Sequence, residues 1–143
     1  MLEAFKKKVE AINIVKEVED AIRQEKPLLI KMNQEQLSKG EKTDSKKIGR
    51  YTSRPYIKKR RQMGLQTAYV DLNINQKMYK SIDIFVTSKQ TEFFSRVPYA
   101  KYLVERYATK KAHIYGLTKD SLNVARAAVQ KRVLISIRQK LSA

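Results

Sequence analysis

Apolar and polar positions alternate along the chain in two rhythms. Phe5, Val9, Ile12, Val15, Val18 and Ile22 recur at steps of three and four, which predicts one amphipathic helix from Leu2 to Gln24. Lys6, Glu10, Glu17 and Asp20 fall on its other side. The stripe can be core or an oligomer seam, and ordinary core packing is the favoured reading. Lys26-Pro27 interrupts it, because the residue before a proline avoids helical geometry. Leu28, Leu29, Met32 and Leu37 suit a second helix ending at Gly40. Glu41 to Arg50 reads as a polar loop, and the whole basic stretch from about residue 40 to 64 is expected to be mobile. Ser53 can cap a short helix that accommodates Pro55 in its first turn.

The rhythm changes after Thr67. Thr67 to Leu72 is a candidate strand, and Asn73 to Lys80 a turn or helical turn. Ser81–Thr87 and Thr91–Val97 are β-branched and aromatic, and Ser88-Lys89-Gln90 between them has hairpin-loop length. Ile82, Ile84 and Val86 share one face. Phe85 on the other face leads us to expect partial cover there too. A helix is predicted from Pro98, its Tyr99, Tyr102, Leu103 and Tyr107 covering the sheet rather than forming a base-stacking platform. His113 is expected to be a hydrogen-bonding loop residue. Thr118 caps a long final helix with a core stripe of Leu122, Ala125, Val129, Val133, Ile137 and Leu141. Val124, Leu134 and Ile135 widen its apolar surface, so they and Arg138 are candidate oligomer contacts. The expected fold is a single α+β domain over residues 1–143. It has a small, mainly antiparallel sheet of three to five strands, packed by a long N-terminal helix, a middle helix and a long C-terminal helix.

Charge changes the picture more than composition does. The chain has 143 residues and a formal net charge of +17. Twelve basic against three acidic residues lie between Lys26 and Gly64, and ten against two between Pro98 and Ala143. The first 25 residues and the hairpin region are nearly neutral. Two basic blocks around a neutral centre point to a polyanion or to acidic protein partners. Lys46, Lys47, Arg50, Arg54, Lys58, Lys59, Arg60 and Arg61 are the candidate contacts, four of them consecutive. On phosphate such cations act without sequence preference.

Catalytic chemistry is hard to assemble here. There is no cysteine and one histidine, so neither a thiolate nor a histidine-rich metal site can form within one chain. No phosphate-cradling glycine motif occurs, and none of the carboxylates has the spacing of a hydrolytic site. The expectation is no enzyme, no catalytic residue, no metal and no cofactor. No apolar run approaches the length of a bilayer span, and no signal peptide is recognisable, so a soluble cytoplasmic product is expected.

Several short segments resemble a known family. These are Gly49-Arg50-Tyr51-Thr52, the basic Lys58–Arg61 run, Val70-Asp71-Leu72 and Met78-Tyr79-Lys80-Ser81-Ile82. Tyr99-Ala100 with Glu105-Arg106, and Tyr115-Gly116-Leu117-Thr118, continue the series. In this order they are similar to the tail-completion and head–tail joining (neck) proteins of tailed phages. The family's aspartate-threonine-glycine turn is replaced here by Asn73-Ile74-Asn75. The resemblance implies a structural virion protein at the head–tail junction, made in the host bacterial cytoplasm and assembled into a cyclic homo-oligomer. Its implied partners are a portal or adaptor protein and tail proteins, with non-specific DNA contact in the lumen and no membrane. A basic nucleic-acid-binding domain without catalysis is the alternative.

Overall fold

The computed structural model describes every residue, Met1–Ala143. Helix formation fails first at Asn13. Its backbone is extended, and its side-chain oxygen accepts the amide of Lys16 at 3.2 Å, so it caps a new helix instead of continuing the old one. The single N-terminal helix expected from periodicity is therefore two, α1 (Leu2–Glu10) and α2 (Ile14–Gln24). Glu25 ends α2 and opens α3 (Lys26–Ser38), with Pro27 in its first turn where a missing amide costs nothing. The inward face of α3 carries Leu29, Asn33, Gln36 and Leu37, all buried.

Gly40 stops α3 in the left-handed region, at φ +72°. A methyl group there would lie 2.4 Å from the Tyr69 ring and 3.0 Å from the Val70 carbonyl oxygen. Gly40→Ala therefore meets both an unfavourable φ and a clash. We expect a loss of roughly 2–4 kcal/mol, read as a lowered urea midpoint at unchanged slope.

The loop Glu41–Arg50 makes several contacts with the rest of the chain. Glu41 and Lys47 form an antiparallel bridge, and Thr43 exchanges hydrogen bonds with His113, its amide and hydroxyl each at 2.9 Å. The amide of Val70 donates to the Gly49 carbonyl at 2.9 Å. Helix α4 (Arg54–Gln62) follows, capped by the Ser53 hydroxyl on the Tyr56 amide.

Thr67–Leu72 is not a strand. Gln66 folds its side chain back to accept the amides of Ala68 and Tyr69 and to donate to the Tyr69 carbonyl, and Leu72 has φ +60°. A ladder cannot form on a backbone already bonded to its own side chains. The one-turn helix α5 (Lys77–Lys80) leads into the only sheet, an antiparallel hairpin of β1 (Ile82–Val86) and β2 (Thr91–Ser95). Its register runs from Ile82 opposite Ser95 to Val86 opposite Thr91. The sheet thus has two strands rather than three to five. Ile82, Ile84 and Val86 are buried as predicted; on the other face Phe85 is exposed, while Asp83 is half-buried and pairs with Lys26 of α3.

Helix α6 (Ala100–Tyr107) lays Leu103, Val104 and Tyr107 against the larger core cluster, formed by Leu37, Met78, Tyr79, Ile82, Ile114 and Tyr115. A second cluster joins Leu29, Ile84, Val86 and Ala125. Thus α3 supplies residues to both. Its Asn33 also donates to the carbonyls of Ile114 (3.1 Å) and Gly116 (2.8 Å), and Gln36 accepts the Thr118 amide at 3.0 Å. These bonds fix the segment before α7 (Lys119–Ser142), which Thr118 caps as predicted. His113 is the expected loop residue, its Nδ1 accepting the Tyr115 amide at 2.9 Å. Burial lowers its pKa.

Candidate interaction surfaces

Of the four consecutive cations, one is not a surface residue. Arg60 is 1% exposed. Helical spacing puts it on the same side of α4 as Tyr56 and Ile57, both half-buried, so it points inward with them. Its Nε donates to the Gln66 carbonyl at 3.0 Å, Nη1 to the Asn73 carbonyl at 2.7 Å and Nη2 to Asp71 Oδ1 at 3.0 Å. The guanidinium also lies 4.4 Å from the centre of the Tyr51 ring. Asp71 is equally engaged, accepting from the Tyr51 hydroxyl (3.1 Å), Gln66 Nε2 (2.8 Å) and the Asn73 amide (3.0 Å). Burial pushes the Tyr51 phenol up to about 12. Arg60 is thereby corrected from a candidate partner or DNA contact to the centre of a buried polar knot. It holds α4 to the 66–73 segment.

The other candidates stay outside. Lys46, Arg50, Arg54, Lys58, Lys59 and Arg61 are exposed and enter none of the ion pairs of the fold. Lys47 is partly committed: its ammonium donates to the Lys39 carbonyl and sits 4.6 Å from the Tyr69 ring centre. Six unpaired cations on one loop and one helix form a positively charged surface that attracts anions without fixing their identity.

The apolar candidates are exposed as well. Leu134 and Ile135 are 45% and 44% exposed, and with Arg138 they line a shallow depression on α7. Val124 lies outside that depression, eleven residues before Ile135 and so three turns away on the same helix side. Leu134 also borders a groove of about 910 Å³ between α2, α3, β2 and α7, walled by Val18, Ile22, Phe93 and Val129 among others. The expected core stripe of α7 is only partly core. Ala125 is buried, Val129, Val133, Ile137 and Leu141 are half-buried, and Leu122 is exposed.

The N-terminal stripe departs further from its expected role. Phe5, Val9, Val15 and Val18 are exposed, and α1 buries no residue at all. What α2 buries instead is Ala21 and Glu17, a residue the helical pattern places toward solvent. Glu17 accepts the Ser136 hydroxyl at 2.6 Å and pairs with Lys140, one turn further along α7. These bonds, that from Lys140 first, hold its carboxyl below the usual range. Arg132 joins Glu25 and Gln24 in the same seam. The contact between α2 and α7 is therefore polar along one edge, and its apolar side chains are left facing the groove and solvent.

No group of three or more His, Asp or Glu side chains is placed to hold a metal ion. No helix is long and apolar enough to cross a membrane. Comparison with protein-family models, with curated proteins and with solved structures found no match.

Proposed function

We propose that this chain is a non-catalytic assembly subunit, a ring-forming head–tail connector (neck or tail-completion) protein of a tailed phage. Its work is to dock and seal the portal–tail junction. The observation that carries the assembly reading is the amount of apolar surface without cover. Sixteen large apolar side chains are exposed, while the whole chain buries only 20 residues. Ten of the sixteen are on α1, α2 and α7. Single exposed apolar residues are ordinary, but stripes on neighbouring helices call for a protein partner. Ring subunits meet through unlike surfaces, so the exposed Leu2, Phe5 and Val9 of α1, none of which lines the groove, and the groove of the next subunit suit a closing head-to-tail contact. The family reading rests on the ordered sequence segments from Gly49 to Thr118. In the ring, the loop Glu41–Arg50 and the outward cations of α4 would meet an acidic partner ring or lumen DNA.

Negative-stain imaging and sedimentation of the purified protein, alone and with portal or adaptor protein, test this. Closed rings of uniform diameter are expected. A monomer or dimer that joins no virion protein would overturn the assembly reading. The second reading, a basic nucleic-acid-binding domain acting alone, is favoured by the unpaired cations. It expects such a monomer to bind DNA with a steep salt dependence.

A further inference from the structure

Between the start of α4 and the outer side of α6 lies a cleft of about 520 Å³. Tyr51, Tyr56, Tyr99 and Tyr107 line it, with Arg50 and Arg106. No carboxylate is among its lining residues. The aromatic wall on the α4 side is held rigidly. Tyr51 is fixed by its hydroxyl on Asp71 and by the Arg60 guanidinium against its ring, and Tyr56 meets it edge-on with ring centres 5.4 Å apart. On the α6 side, Tyr107 is seated against the core, while Tyr99 is 45% exposed. Arg50 and Arg106 are exposed and make no ion pair. The tyrosines expected to cover the sheet do not all do so: Tyr107 packs against the core and borders the cleft, Tyr99, just before α6, lines the cleft, and Tyr102 is exposed.

We infer that this cleft binds single-stranded nucleic acid. Unpaired bases would stack against the tyrosine rings while their phosphates meet Arg50 and Arg106. Aromatic faces and unpaired guanidiniums in one recess are the two components of sequence-tolerant single-strand binding. A duplex has its base faces covered by neighbouring pairs and can offer the recess only phosphates. A strand lacking bases offers the same. The prediction is therefore a preference for bases over backbone, which net positive charge alone does not produce.

Fluorescence anisotropy on the full chain tests it, with a labelled thymidine oligonucleotide, an abasic strand of equal length and a duplex of that length. The thymidine strand is expected to bind about tenfold or more tightly than the abasic strand. Tyr99→Ala should weaken thymidine binding by about fivefold to a hundredfold, and leave abasic-strand binding unchanged. Arg106→Gln should reduce the salt dependence by about one phosphate contact. Tyr102→Ala, exposed on α6 but outside the cleft, is the control and should bind as the unmodified protein does. Both tyrosine substitutions fall at exposed positions, and unchanged circular dichroism verifies folding. Equal affinity for thymidine and abasic strands, tighter binding of duplex, no binding, or equal effects of the two tyrosine substitutions would each overturn the inference. None of these readouts depends on ring formation, so rings that ignore single strands would sink this inference alone.

Discussion

Arg60→Met should destabilise the protein by about 3–5 kcal/mol, the cost of leaving a buried carboxylate without its cation. Typical domains are stable by about 5–15 kcal/mol, so about a fifth or more of the total would be lost. The substitution does more than delete one ion pair. It leaves Asp71 buried, and it removes the donors of the Gln66 and Asn73 carbonyls together with the cation against Tyr51. Those two carbonyls belong to the irregular 66–73 segment, which has no ladder to fall back on. Lys58→Gln, Lys59→Gln and Arg61→Gln, on the same helix, should each change stability by no more than about 0.5 kcal/mol. Urea unfolding followed by far-ultraviolet circular dichroism separates the two outcomes. Equal effects at all four positions would show that Arg60 holds nothing. Asp71→Asn should also destabilise, and combining it with Arg60→Met should cost less than the two losses added, because each single change strands the other partner.

The same residue shows where sequence reading stops. A run of four cations looks uniform, and charge alone puts all of them in solvent. Helical geometry does not: Tyr56, Ile57 and Arg60 are one stripe, and an inward stripe directs its third member toward the core. That signal was present in the spacing. Its partner was not, since Asp71 is eleven residues away across an irregular segment. The hairpin was legible because alternation and loop length act locally, and its buried face follows from period two. The caps at Ser53 and Thr118 were legible for the same reason.

Features set by a second element were not legible. Glu17 is buried because Ser136 and Lys140 meet it from α7, and nothing near Glu17 announces them. The break at Asn13 and the missing strand at Thr67–Leu72 share one cause. A short amide side chain, Asn13 or Gln66, took backbone groups that the apolar pattern had assigned to regular structure. That Val124, Leu134 and Ile135 widen the apolar surface of α7 was legible because the helix is apolar on more sides than the rest of the chain covers. Phe5 and Val9 on α1 were read mainly as core by the same pattern, since periodicity shows that a face is apolar but not what covers it.

Replacing Leu134 and Ile135 together by lysine should convert the multimer expected of a connector into monomers. Each new ammonium would have to enter a desolvated contact without a partner, at roughly 2 kcal/mol or more apiece. Two such costs weaken each subunit contact about a thousandfold. Lysine is the informative choice because of its neighbours. Lys131 lies three and four residues before these positions, and Arg138 four and three after them. A glutamate at either position could pair with Arg138 one turn away and recover part of the loss, so the double glutamate variant should dissociate less completely. Both side chains are nearly half-exposed in the isolated chain, so the helical circular dichroism signal should not change. Val124→Lys, three turns earlier on the side of Ile135, then measures how far the contact runs along α7. Sedimentation velocity reads all three variants. If the double lysine variant sediments like the unmodified multimer, this face of α7 is not the subunit contact, and the apolar stripe of α1 becomes the next surface to charge.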